Sequence, residues 1–179
     1  MAKKNLYFLA IIPEEGLRKE IHQIKLSAAE QYHSQAALKS PPHITLHMPF
    51  QWREDREQQL IQAISQFEFK AFPIAVSLKN FDFFPPRVVF IHVDENESLR
   101  LLQKQLSDHV RRELNIFNDT YKDLGFHPHI TIAFRDLKKS LFPEVMEEFS
   151  QREFEAVMNV KGFTLLKNIN KKWERLAEF

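Results

Sequence analysis

Two histidine–threonine pairs stand 86 residues apart in the chain, His43 with Thr45 in "PPHITLHMPF" and His129 with Thr131 in "HPHITIAF". A β-strand points alternate residues to one face, so each His and its Thr project together while the isoleucines between them face a core. Two imidazoles facing each other across a cleft suit in-line displacement at phosphorus. The entering oxygen loses a proton on one side while the leaving oxygen gains one on the other. With ordinary pKa values near 6.5, one histidine serves as base and the other as acid. Each threonine hydroxyl can donate to a non-bridging phosphate oxygen, and the scheme calls for no metal. With 8 His and 4 Thr in 179 residues, His-x-Thr should arise by chance about 0.2 times. It occurs twice, at matching points of a larger pattern.

That pattern is an internal repeat. Strand-like "NLYFLAII" is followed by "EEGLRKEIHQIKLSAAEQY", whose Leu17, Ile21, Ile24 and Ala28 have helical spacing. Strand-like "HITLHMPF", a helix in "REDREQQLIQAISQF" and a long strand in "FPIAVSLKNFDFF" complete the first half. The second half runs in the same order: "RVVFIHV", the helix "NESLRLLQKQLSDHVRREL", "HITIAF", the helix "LKKSLFPEVMEEF" and a long strand "FEAVMNVKGFTLL". "WERLAEF" then serves as a closing strand. Ile12 falls on Val93, Leu17 on Leu99, His43 on His129, Phe72 on Phe154, Lys79 on Lys161 and Phe81 on Phe163. Near-constant offsets across five elements indicate duplication. The expectation is one α+β domain over residues 1–179 with halves of about 1–84 and 85–179. Two pseudo-twofold lobes, each with an antiparallel or mixed sheet and outer helices, would flank a central cleft, with closing strands exchanged between them.

These motifs, "PHITLHM" and "PHITIAF" at half-chain spacing, resemble the two-histidine (2H) phosphoesterase superfamily, in particular its 2′-5′ RNA ligase-like and cyclic phosphodiesterase branches. The match covers essentially the whole chain. The resemblance implies a bilobal α/β fold and metal-free cleavage of 2′,3′-cyclic or related phosphodiesters. It also implies that His43, Thr45, His129 and Thr131 form the catalytic set. Some members carry an arginine directly after the second motif; here Phe134 is nearer and Arg135 one further. Arg135 shares a face with His129 and Thr131 if the strand persists that far.

Further candidates surround the set. His47 shares a strand face with His43, and His127 with His129, which suggests that both line the cleft or bond to the catalytic pair. A metal site built from these four imidazoles is the rival, but residues two apart on a strand lie about 6.6 Å from each other. Zinc–nitrogen bonds near 2.1 Å leave strand neighbours badly placed to chelate. Lys79, Lys161 and Arg87 are candidate anion contacts. Phe50, Trp52, Phe84, Phe90 and Phe134 are candidate stacking surfaces for a base. His22, His33 and His109 fall on helices and read as surface residues.

Composition narrows the classes. The absence of cysteine excludes disulfides, thiolate nucleophiles and cysteine-ligated metals, and suits a reducing cytosol, so a cytoplasmic location is expected. "LYFLAII" stops at Pro13 before a charged stretch, unlike a signal peptide, and no membrane segment is evident. A net charge of +1 argues against a non-specific nucleic-acid binder and leans towards small substrates. The expectation is a monomeric enzyme without cofactor or obligate protein partner. It would act on a small cyclic nucleotide or an RNA terminus, possessing 2′-5′ ligase-like reversibility. The alternatives are a non-catalytic nucleotide- or RNA-binding module and a structural protein with a coincidental pair of motifs.

Overall fold

The computed structural model describes residues 3–118 and 125–179. Eight strands form one continuous sheet in the order β6-β3-β4-β5-β2-β1-β7-β8, with every neighbouring pair antiparallel. The strands are β1 (Lys4–Ile11), β2 (Ile44–Arg53), β3 (Ile74–Phe84), β4 (Val88–Val93), β5 (His129–Ala133), β6 (Glu155–Val160), β7 (Thr164–Ile169) and β8 (Lys172–Glu178). Among the described residues four α-helices accompany them: α1 (Glu15–Tyr32), α2 (Glu57–Ser65), α3 (Glu97–Leu114) and α4 (Phe142–Ser150). The fold is α+β as expected, but the halves are not separate sheets. They are continuous through one register pair between β2 and β5, Ile44 opposite Ile130.

The two faces of the sheet do different jobs. Tyr7, Leu9 and Ile11 of β1, Ile44 and Leu46 of β2, and Ile130 and Ile132 of β5 are buried in the main core. The apolar stripes of α1 and α3 cover that side. The helices cross over: α1, from the first half, packs against β5, and α3, from the second, packs against β2. Strand β3 pairs with β4 and β6 of the second half, while β7 pairs with β1. The alternate residues Phe8 and Ala10 form a smaller cluster with Leu166, against which Ile12 and Trp173 pack. This second face carries the His–Thr residues.

Three breaks in strand alternation separate the structure from a straightforward sequence reading. A bulge between β1 and β2 sets Ala10 opposite Thr45 but Leu9 opposite His47, so consecutive Leu46 and His47 are both buried. In β3, Asn80 takes a left-handed φ of 57°, beyond which Phe81 packs on Phe149 of α4. The long strand expected over 154–166 is divided at Lys161–Gly162–Phe163 into β6 and β7, which lie far apart in the sheet order. A Cβ on Gly162 would collide with the carbonyl oxygen of Phe179, so only glycine fits there. Phe163 and Phe179 exchange two backbone hydrogen bonds of 3.0 Å beside it.

Candidate active site

His43 immediately precedes β2 and His129 opens β5. Continuing the antiparallel register one residue either side of Ile44–Ile130 sets His43 opposite Thr131 and Thr45 opposite His129. Directly opposed Cβ atoms lie about 4.5–5.5 Å apart and diagonal neighbours about 7–8 Å apart, so both imidazoles project from adjacent strands on one face of the sheet. All four side chains are half-buried, while Ile44 and Ile130 behind them are fully buried.

The two rings are held identically. His43 Nδ1–H donates to the Pro41 carbonyl at 2.7 Å, and His129 Nδ1–H donates to the His127 carbonyl at 2.7 Å. A carbonyl only accepts, so the neutral tautomer carries its proton on Nδ1 and keeps the Nε2 lone pair free. Each ring also lies against a phenylalanine in tilted geometry. The centroids of Phe8 and His43 are 4.9 Å apart at 56°, and those of Phe90 and His129 are 5.1 Å apart at 57°. Trp173 meets Phe8 edge-on at 4.6 Å, and Phe84 stacks on Phe90 at 4.3 Å.

Electrostatics break this symmetry. Burial, with the charges of Lys25 and His129, pushes His43 down to about 4 despite the bond to Pro41. His129 is also depressed, by burial and by His127, despite its bond to the His127 carbonyl. Lys25 lies in the buried stripe of α1, only 2% exposed, and donates to the Ser40 carbonyl at 2.8 Å. Desolvation lowers it to about 8. Ser40 adjoins Pro41, so a buried cation anchors the segment that orients His43.

Of the other sequence candidates, the structure brings His127, Phe84 and Phe90 to the site. The ring of His127 lies 6.3 Å from that of His129 and 5.2 Å from that of Phe84. His47 does not line the cleft: the bulge turns it into the core at 1% exposure, against Phe50, with Nδ1 bonded to the Met48 carbonyl. The strand face proposed for Arg135 does not extend that far. Strand β5 stops at Ala133, Arg135 has φ 59°, and its guanidinium lies over the Phe134 ring at 5.2 Å. Arg87 donates to the Arg135 carbonyl at 2.8 Å, tying both arginines to the end of β5 remote from His129. Lys79 pairs with Glu155 at 3.8 Å on the β3–β6 rim. Lys161 lines a cavity of about 570 Å³ near the end of β1, which none of the four His–Thr residues line. His109 is buried rather than on the surface, its Nε2 bonded to the Ala63 carbonyl at 2.8 Å.

Sequence reading missed Phe8, Trp173 and Lys25. Lys25 had a usable signal: it falls four residues after Ile21 in the helical stripe, where an apolar residue is expected. Among the described residues no group of three or more metal-ligating side chains converges, and no helix is long and apolar enough to cross a membrane.

Comparison with known proteins places this geometry in a family. Relatives named provisionally as phosphoesterases include one from Geobacillus kaustophilus, 28% identical over 162 residues, covering 89% of this chain and 86% of the relative. Another, from Bacillus pumilus, is 26% identical over 153 residues, covering 83% and 82%. Apo LigT of Escherichia coli shares the fold with a TM-score of 0.67 at 18% identity, covering 99% of this chain and 98% of LigT. A Thermus thermophilus protein does so with a TM-score of 0.63 at 20% identity, covering 97% and 96%. LigT has also been solved with 3′-AMP and with ATP. The model of one family matches residues 13–172, taking in both His–Thr pairs and the crossed helices behind them: the chain belongs to the 2′-5′ RNA ligase superfamily.

Proposed function

We propose that the protein is a metal-independent phosphoesterase that opens 2′,3′-cyclic phosphodiesters at nucleotide or RNA ends, with His43 as base and His129 as acid. The observation that carries this is the matched pair of Nδ1–carbonyl bonds, which free both Nε2 atoms on one face beside the two threonines. With the phosphate between the rings, His43 Nε2 takes a proton from the attacking water as its oxygen bonds to phosphorus. The bond to the leaving ribose oxygen breaks, and that oxygen receives the proton of His129 Nε2. The product is a phosphomonoester, and exchange with solvent returns both imidazoles to their starting states. Thr45 and Thr131 hydroxyls donate to the non-bridging oxygens as charge builds there. With the 5′-hydroxyl of a second RNA end in place of water, the same step joins the two ends, and in its reverse the histidines exchange roles, which is the basis for ligase-like reversibility. Burial and the Lys25 charge favour neutral His43 at pH 7, hence its role as base.

Turnover of 2′,3′-cyclic AMP tests this, with wild type, His43→Ala and His129→Ala assayed with and without chelator. Each substitution should lower kcat by roughly 10²–10⁴-fold, with the double variant scarcely worse than either single, since both act in one step. Chelator should change nothing. Full activity in both single variants would overturn the assignment, and nucleotide binding without turnover would identify a binding module.

A further inference from the structure

The whole-chain charge of +1 conceals a local imbalance. Between α1 and the β7–β8 hairpin runs an open groove of about 350 Å³, whose lining includes Arg18, Lys19, Lys39, Lys172, Trp173 and Glu174. Four cationic side chains thus face one carboxylate. Lys19 is neutralised by Glu15 at 2.5 Å, and Arg18 is turned to the Pro13 carbonyl. Among the described residues Lys39 and Lys172 have no acidic partner, and both are exposed. Across the site stand Asp82 on β3 and, just after β4, Asp94 beside His92 at 3.7 Å and Glu95 paired with Arg100 at 2.7 Å.

The groove adjoins the two-histidine site. Pro41 and Pro42 line it and lead directly into His43, so it opens within about 7 Å of the catalytic backbone. Trp173 stands at the junction, lining the groove while its ring meets Phe8, which in turn packs on His43. Cations spaced along a channel with an aromatic ring at its mouth are what a single nucleic-acid strand requires.

We infer that this groove is a subsite for the sugar–phosphate backbone of an oligonucleotide whose terminal phosphate occupies the two-histidine site. The inference rests on the phosphoesterase reading and extends it: the preferred substrate is an RNA end, not a free mononucleotide. Lys39 and Lys172 contact phosphates next to the scissile one, and Trp173 stacks on the adjoining base.

The test compares 2′,3′-cyclic AMP with an RNA tetranucleotide ending in a 2′,3′-cyclic phosphate, using wild type and the double variant Lys39→Glu/Lys172→Glu. Wild type should prefer the tetranucleotide at least tenfold in kcat/KM. Two phosphate contacts at a slope of about −0.7 each lower affinity roughly sevenfold when salt rises from 50 to 200 mM. The double variant should lose tenfold or more on the tetranucleotide and less than twofold on the mononucleotide. Equal kcat/KM for both substrates in wild type, or equal losses on both in the variant, overturns the inference. Fluorescence anisotropy of a 5′-labelled tetranucleotide with a 3′-phosphate gives a readout independent of turnover. If wild type cleaves neither substrate but the charge reversal abolishes binding, the groove stands and the phosphoesterase reading falls. Binding unchanged by the reversal refutes the groove.

Discussion

Replacing Lys25 with methionine should make the protein more stable and less active. The side chain is 2% exposed and its ammonium donates to one carbonyl, that of Ser40. Burial lowers its pKa from 10.5 to about 8. At 1.36 kcal/mol per pH unit, carrying that charge costs the folded state about 3 kcal/mol anywhere below pH 8. Methionine has similar length and no charge, so the variant escapes that cost. It leaves the half-buried Ser40 carbonyl without its donor, worth about 1 kcal/mol. The net gain at pH 7 is about 2 kcal/mol, or roughly 4–8 °C in Tm for a chain of this size.

The pH dependence supplies the sharper test. Between pH 8 and 10.5 the unfolded chain binds the lysine proton more tightly than the folded one, so wild-type stability rises with pH across that window. By pH 10 the wild-type penalty has fallen below about 1 kcal/mol and the two proteins should unfold at nearly the same temperature. Thermal unfolding followed by circular dichroism at pH 7 and pH 10 measures both gaps. A variant less stable than wild type at pH 7, or a gap that does not narrow by pH 10, refutes the reasoning. Activity moves oppositely: loss of the Ser40 anchor loosens the Pro41 carbonyl that aims His43, and kcat should drop by up to about 100-fold. With the neighbouring charge gone, the lower limb of the pH–rate profile should also move above 4.

Three other outcomes follow from the geometry. The free-enzyme profile of kcat/KM should peak on the acid side of neutrality, rising with deprotonation of His43 near 4 and falling as His129 deprotonates below its ordinary 6.5; a plateau extending to pH 9 would contradict it. Thr45→Val and Thr131→Val keep side-chain shape but remove a donor, and each should lower kcat about 10²-fold with little change in KM, measured by steady-state kinetics on the cyclic nucleotide. Gly162→Ala drives a methyl against the Phe179 backbone and should cost about 1–3 kcal/mol, visible as a lowered Tm with unchanged kcat per folded molecule; an unchanged Tm would refute the close approach.

The motif, the repeat and nearly every element were legible in the sequence because they are local. Alternation places His43 with Thr45, and the i, i+4 stripe of Leu17 and Ile21 marks the buried side of α1. Alternation fails where the chain changes register with a partner strand. The Leu46–His47 bulge depends on β1, so the surface assigned to His47 could not be read from β2 alone. The turn at Arg135 likewise cuts short a face that the residue types would have continued. Gly162 was the one visible warning that the last long strand breaks, since glycine within a strand pattern signals a bulge or close approach. Trp173 joins the site only through the strand order, which brings the closing hairpin beside β1.

Strands β2 and β5, which carry the two His–Thr pairs, share a single register pair at the centre of the sheet. Each half therefore keeps its own histidine, threonine and carbonyl brace under small rotations about that seam. Small rotations there would change the gap between the halves, and with it the spacing of the two imidazoles. Substitutions in the crossed helices α1 and α3, which pack against β5 and β2, should therefore reach the site without altering any of its four His–Thr side chains.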